Sequence, residues 1–156
     1  MRPEGRRVRV PNVPQRHAVL VALAAAAISL AGAFQVWVRI RIAGFAPPGS
    51  AQTGWQGGDG RTIVAAAVAA VVAAAAVALG GREAWPKVLL LVAGAIALVI
   101  AVVNIVDAGS KANDIQVQFG IPAEDVEAQV GIGLYLVCAG GIGMVAAGVW
   151  VRSGPS

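Results

Sequence analysis

The chain has 156 residues, of which 58% are hydrophobic and only 13% are charged. Soluble domains contain about 45–50% apolar and about 25% charged residues. A water-soluble protein of this length could not cover so much apolar surface, so the composition excludes a soluble globular domain and predicts an integral membrane protein. The net charge of +4 does not indicate nucleic-acid binding, because the arginines are not interleaved with aromatic residues on a domain that could fold.

Residues 1–17 carry five arginines and three prolines without apolar periodicity, which predicts a basic cytoplasmic tail. Four apolar runs follow, each with the length that crosses a hydrocarbon core of about 30 Å at about 1.5 Å per residue. They predict an all-α membrane protein, a four-helix transmembrane bundle over residues 18–151. The helices are expected at about 18–38, 62–80, 86–107 and 122–151, the outer loops at about 39–61 and 108–121, and a second cytoplasmic tail at 152–156.

Residues that commonly begin helices support two of these limits. Asp59 and Thr62 are candidate N-terminal caps of the second helix. Pro122, Glu124 and Asp125 are typical of a first helical turn, where acidic side chains favour the helix dipole. They predict that the fourth helix begins before it enters the membrane.

The basic residues predict the orientation of the bundle, because cytoplasmic loops carry an excess of arginine and lysine. With the N-terminus inside, eight basic residues lie on the inner side and four on the outer side. The four outer ones are Arg39, Arg41, Arg61 and Lys111. We therefore predict a multi-pass protein of the cell (plasma) membrane with both termini in the cytoplasm.

The N-terminal segment has a second interpretation. A basic region followed by an apolar stretch and Ala31-Gly32-Ala33 resembles a cleavable signal peptide. The apolar run continues to Val38, which is long enough to span the membrane and favours a retained helix.

Two segments predict a small β-sheet on the outer face. Val36–Ile42 and Ile115–Phe119 both alternate apolar and polar or basic residues with a period of two, which is a strand pattern. Topology places both on the same side of the membrane, so we expect them to pair. Pairing would bring Arg39 and Arg41 close to three acidic residues of the second loop region. These are Asp114, Glu124 and Asp125.

Four polar residues are expected at similar depth near the outer ends of the helices. They are Gln35, Asn104, Asp107 and Gln129. Burying polar groups in a membrane costs free energy, and those that occur there commonly mark an ion or proton path. The alternative is that Asp107 lies at the interface and pairs with Lys111, while Asn104 bonds across helices. No acidic residue falls near the middle of a helix, which disfavours a proton-coupled transporter.

The predicted fourth helix is rich in glycine. Gly141-x-Gly143-x-x-Ala146 matches a dinucleotide-binding pattern only superficially, because it follows no strand and lies inside a membrane span. Small residues instead predict close helix packing in lipid, with Ala139, Gly140 and Gly143 as the contact residues. The contact can lie within the bundle or between two copies of the chain.

The sequence offers no set of residues for enzymatic catalysis. His17 is the only histidine, and Cys138 is a single cysteine within an apolar run. These residues cannot supply the nucleophile, the base and the orienting group that a catalytic site of this kind requires. We therefore expect a protein that is not an enzyme and that has neither a cofactor nor a metal site.

Three segments together are similar to a known group of proteins. They are Thr53–Gly60, Asn104–Asp107 and Val130–Tyr135. They resemble the small four-helix membrane proteins of actinobacteria, over about residues 18–151. The resemblance implies a four-helix membrane fold and transfers no catalytic or binding residue. The layout of four helices with an outer sheet is also similar to that of claudin-like proteins, without the cysteine pair of their first outer loop.

The resulting expectation is an accessory or structural protein that presents an outer cap to a partner in the membrane or cell envelope. Its expected partners are the lipid bilayer and a membrane protein or a second copy of the chain, and not nucleic acid. The alternative is a small oligomeric channel or transporter that uses Asn104 and Asp107.

Overall fold

The computed structural model describes residues 13–80, 84–119 and 122–151, with the backbone alone at 13, 14, 109, 111–119 and 123. Most of these residues are helical, and four helices are long and apolar enough to cross a membrane. A small three-stranded sheet lies at one end of the bundle. The prediction of four apolar helices with a small sheet is confirmed, while several boundaries differ.

The elements follow one another in a simple order. They are α1 (Val13–Phe34), β1 (Val36–Ile42), β2 (Ala51–Thr53), the short helix α2 (Gly54–Gly57), α3 (Asp59–Ala78), α4 (Trp85–Phe119), a 3₁₀ turn (Ala123–Asp125), β3 (Val126–Val130) and α5 (Ile132–Trp150). We use the name cap for the part formed by β1, β2, α2, the 3₁₀ turn and β3. Residues 1–12 of the predicted basic tail and the predicted tail at 152–156 lie outside the described residues. The tail was predicted to extend to residue 17, which is wrong, because α1 already begins at Val13.

The helices form an antiparallel bundle with a core of small side chains. Helix α5 packs between α1 and α4, and α3 contacts the same two helices from the opposite side. Each helix contributes fully buried alanines, among them Ala22, Ala70, Ala97 and Ala147. Large apolar side chains such as those of Leu20, Val68, Val99 and Ile142 are instead at least half exposed. This distribution suits a lipid solvent, in which helices associate through close backbone packing rather than through the burial of large side chains.

Glycines of α5 set the closest helix contacts. A Cβ at Gly140 would lie 2.7 Å from the carbonyl oxygen of Ala25 in α1, and one at Gly143 would lie 2.7 Å from the Cβ of Ala25. On the other side of α5, a Cβ at Gly141 would lie 3.1 Å from the carbonyl oxygen of Gly94 in α4. The contact between small residues is therefore within the bundle. Ala139 is exposed, so its predicted place in this contact is wrong.

Two predicted boundaries at the cap are wrong. The first helix ends at Phe34 rather than near residue 38, because the next residues enter β1. The fourth membrane helix begins at Ile132 rather than near 122. The residues before it form β3, whose sequence Val-Glu-Ala-Gln-Val alternates apolar and polar side chains with the period of a strand.

The predicted strand at Ile115–Phe119 is also wrong, because α4 continues through it to Phe119. No proline interrupts the chain between Ala108 and Phe119. Ile115 and Phe119 are four residues apart, a spacing that fits one face of a helix as well as alternate positions of a strand. The confirmed strand Val36–Ile42 is longer and rich in β-branched residues, so its pattern is less ambiguous.

β1 is the central strand of the sheet, whose order is β2-β1-β3 with antiparallel pairing on both sides. Along β3 the paired residues run from Val38 opposite Val130 to Ile42 opposite Val126. One face of this pair is apolar, and it packs on Ile105 and Ala108 of α4. The cap end of the membrane-spanning part of α4 therefore supports the sheet. Such support matters because an isolated two-stranded sheet is only marginally stable in water.

We expect Gly140→Leu to destabilise the bundle by about 1–3 kcal/mol, because a large side chain cannot fit against the backbone of α1. Unfolding in detergent, followed by circular dichroism during titration with a denaturing detergent, measures the change. Ala139→Leu is the matched control, since Ala139 is exposed and its enlargement should leave the unfolding midpoint nearly unchanged. Equal effects of the two substitutions would contradict this packing.

The register of β1 and β3 can be tested by disulfide cross-linking in a Cys138→Ala background. Ile40→Cys with Ala128→Cys should cross-link on oxidation, because the two residues are directly opposite and their Cβ atoms are then about 4.5–5.5 Å apart. Ile40→Cys with Gln129→Cys is the control, as the adjacent position on β3 points to the other face of the sheet. Efficient cross-linking of the control pair alone would show a register shifted by one residue.

Candidate functional site

Trp37 joins the cap to the bundle. The residue is buried at 4% exposure, and its indole Nε1 donates a hydrogen bond of 2.8 Å to the carbonyl oxygen of Gly32 in α1. The indole ring lies against Gly54 of α2 and Gly133 of α5, where a Cβ would collide with it. The Trp37 carbonyl oxygen also accepts a hydrogen bond of 2.7 Å from the Gly131 amide. One side chain thus fixes β1 against three helices.

The second face of the sheet is polar. Arg39 lies opposite Gln129, and Arg41 lies opposite Glu127 in the β1–β3 register. The guanidinium Nε of Arg41 is buried and has no hydrogen-bond partner in the described part of the chain. The sheet therefore presents a two-by-two arrangement of basic, acidic and amide side chains on one surface.

No ion pair joins Arg39 or Arg41 to Glu124 or Asp125, whose side chains the structure describes. Glu124 and Asp125 lie in the 3₁₀ turn before β3, and the carbonyl oxygen of Asp125 accepts a hydrogen bond of 2.6 Å from the Ala43 amide at the end of β1. Asp114 is in the last part of α4, residues 111–119, of which the structure describes only the backbone. The acidic residue opposite Arg41 is Glu127, which was missed because β3 was assigned to the fourth helix.

A cleft forms where α1 ends, between β1 and the start of α5. We call it the glutamine cleft; its volume is about 290 Å³. It is lined by Gln35, Val36, Arg39, Gln129, Val130, Gly131 and Ile132. Gln35 and Gln129, two of the four predicted polar residues, therefore line the same cleft. Arg39 also lines it, because Arg39 lies opposite Gln129.

The other two predicted polar residues lie elsewhere. The side-chain amide of Asn104 donates hydrogen bonds of 2.8 Å to the Asp59 carboxylate and 3.0 Å to the carbonyl oxygen of Ile100. Asn104 and Asp59 line a second, smaller cleft of about 80 Å³ together with Gln52 and Thr53 of the cap. Asp107 is exposed on α4. The predicted cluster of four is therefore wrong as a single group, because its members divide between two sides of β1.

Asn104 thus joins the start of α3 to α4. The partner of Asn104 is a carboxylate, so the bond is charge-assisted and stronger than one between neutral groups. Asp59 was predicted only as a helix cap, and the two residues are 45 positions apart. A local sequence pattern contains no signal for such a contact.

A row of aromatic and basic side chains lies at the cap end of α1 and α3. The rings of Phe34 and Trp55 stack with centroids 5.4 Å apart, and the Arg61 guanidinium lies 5.7 Å from the centre of the Trp55 ring. This geometry is that of a cation–π contact. The sequence analysis did not predict the row, since its three members come from three different elements.

The described residues, 13–80, 84–119 and 122–151, contain no group of three His, Cys, Asp or Glu side chains that could hold a metal ion. The chemistry available at the cap is instead that of hydrogen-bond donors and one cation–π contact. Such groups can bind and orient a partner or ligand.

Comparisons with models of protein families, with curated proteins and with solved structures find no match to this chain. Its function is therefore inferred from the cap and the two clefts.

Proposed function

We propose that the protein is a non-enzymatic integral membrane protein of the plasma membrane, whose cap lies on the outer side and binds a partner in the membrane or cell envelope. The observation that carries this proposal is a contrast within the molecule. The bundle interior consists mainly of alanine and glycine with a few larger apolar side chains, whereas the sheet at its end carries Arg39, Arg41, Glu127 and Gln129 in register on one face.

The polar face of the sheet suits recognition of a partner. It is held on a rigid support, because Trp37 and α4 fix the sheet against the bundle. A preorganised surface loses little conformational entropy when it binds. The buried Nε of Arg41 has no acceptor in the described part of the chain, and a buried donor without a partner is unfavourable.

The outer location of the cap is supported by the distribution of charge. The cap end of the bundle carries the smaller share of arginines and lysines, and it carries most of the acidic residues. A small share of arginine and lysine is typical of the side away from the cytoplasm. With the cap outside, both ends of the chain lie in the cytoplasm.

The orientation is tested by labelling single cysteines in intact cells with a membrane-impermeant maleimide, in a Cys138→Ala background. Ala46→Cys is in the exposed loop between β1 and β2 and should react. Ala84→Cys, exposed before α4 at the opposite end, should react only after the cells are permeabilised. Reaction of Ala84→Cys in intact cells, with Ala46→Cys protected, would reverse the orientation.

The partner is tested by photo-cross-linking in native membranes. A photoreactive residue in place of Ala51, which is exposed in β2 directly opposite Arg39, should give one discrete protein adduct. The same residue in place of Val149, exposed near the opposite end of α5, is the control for random lipid-phase encounters. We expect Arg41→Glu to remove the Ala51 adduct through charge reversal on the recognition face, and Arg61→Gln to retain it.

The proposal fails if positions 51 and 149 give the same adducts, or if the Ala51 adduct persists unchanged in the Arg41→Glu protein. Circular dichroism of the purified variants confirms that each is folded before the comparison.

A further inference from the structure

We propose that the glutamine cleft binds the phosphate group of a membrane phospholipid, with Arg39 as the main ligand to the phosphate. The cleft has a volume of about 290 Å³ and opens at the end of α1, beside β1 and the start of α5. This binding site goes beyond the partner surface proposed above and does not depend on it.

Each polar side chain that lines the cleft can donate hydrogen bonds. Arg39 contributes a guanidinium group, and Gln35 and Gln129 contribute side-chain amides. None of these three side chains makes a hydrogen bond or ion pair with another residue in the described part of the chain. A guanidinium matches the geometry of phosphate oxygens and can bind two of them at once.

None of the described side chains that line the cleft is a carboxylate. The acidic residue of β3, Glu127, lies opposite Arg41 rather than Arg39, whose opposite residue is the neutral Gln129. The positive charge of Arg39 is therefore not neutralised within the cleft. The start of α5 at Ile132 adds the partial positive charge of a helix N-terminus on the same side. The electrostatic environment is complementary to an anion.

The position of the cleft favours a lipid over a soluble anion. The candidate membrane spans of α1 and α5 end at Phe34 and begin at Ile132, so the cleft lies at the level where the apolar segments meet water. Its remaining lining is apolar, from Val36, Val130 and Ile132. A phospholipid has its phosphate group at this level and its hydrocarbon directly beneath it. It can therefore contact both the polar and the apolar residues that line the cleft.

An exposed apolar surface continues from the cleft toward the middle of the bundle. On α1, Ile28 lies about one helical turn before Gly32 on the same face and is 40% exposed. On α5, Ile132 and Tyr135 are 63% and 58% exposed. The two helices are in close contact at Gly32 and Gly133, so an acyl chain lies along their joint surface and does not enter between them.

The test measures lipid binding to the full-length protein in detergent by native mass spectrometry and by titration with short-chain phosphatidylglycerol. We expect Arg39→Gln to weaken binding by about tenfold or more, the effect of losing one charge-assisted pair. Gln129→Glu should weaken it similarly, because it places a carboxylate directly opposite Arg39. Arg61→Gln is the matched control at the cap end. It removes an arginine outside the cleft and should leave the affinity within about twofold.

Two competition measurements test whether the anion is a lipid phosphate or a free phosphate, and one variant tests the role of the guanidinium group. Diacylglycerol, which lacks phosphate, should not compete with phosphatidylglycerol, and inorganic phosphate should compete only weakly. Arg39→Lys, which keeps the charge without the planar fork, should bind with intermediate affinity. The proposal is overturned if Arg39→Gln binds as tightly as the unchanged protein, or if Arg61→Gln loses as much affinity. If inorganic phosphate binds as tightly as the lipid, the lipid assignment is overturned.

Discussion

The fit of one indole ring into a space bounded by glycines holds the cap and the helices together as a unit. Trp37 requires Gly54 and Gly133 beneath its ring and an acceptor at Gly32. It thereby sets the direction in which β1 leaves the bundle, and β1 in turn pairs with both other strands. The two clefts lie on either side of this strand. The shapes of both clefts therefore depend on how Trp37 packs, and Trp37 itself lines the smaller one.

The interior of the bundle and the cap are stabilised in different ways. Within the helices, alanine and glycine allow backbones to approach, and van der Waals contact replaces the burial of large side chains. The cap has a layer of apolar side chains on α4 and strand pairing above it, which is the arrangement of a small water-exposed sheet. The helices thus pack as is typical of proteins in lipid, and the cap packs as is typical of proteins in water. The two kinds of packing meet within a few residues of Trp37.

Much of the architecture was predictable, because long patterns have few interpretations. Four apolar runs of about twenty residues indicate helices that can cross a membrane, and the seven residues of β1 alternate clearly. Shorter patterns were less informative. Ile115–Phe119 fits both helix and strand periods, and β3 was hidden between a helix-start signal at Pro122 and the apolar run of α5. The Asn104–Asp59 bond joins residues far apart in sequence, and only the packing of α3 on α4 creates it.

The distribution of side-chain size has a consequence for how related sequences can diverge. In a soluble protein, interior positions accept changes among large apolar residues, and surface positions accept polar ones. Here the interior positions are limited by size, since Ala22, Ala70 and Gly140 have no room to grow. The lipid-facing positions are limited only by polarity. Homologues should therefore keep the same small residues on the inner faces of the helices while leucine, valine and isoleucine interchange freely on the outer ones.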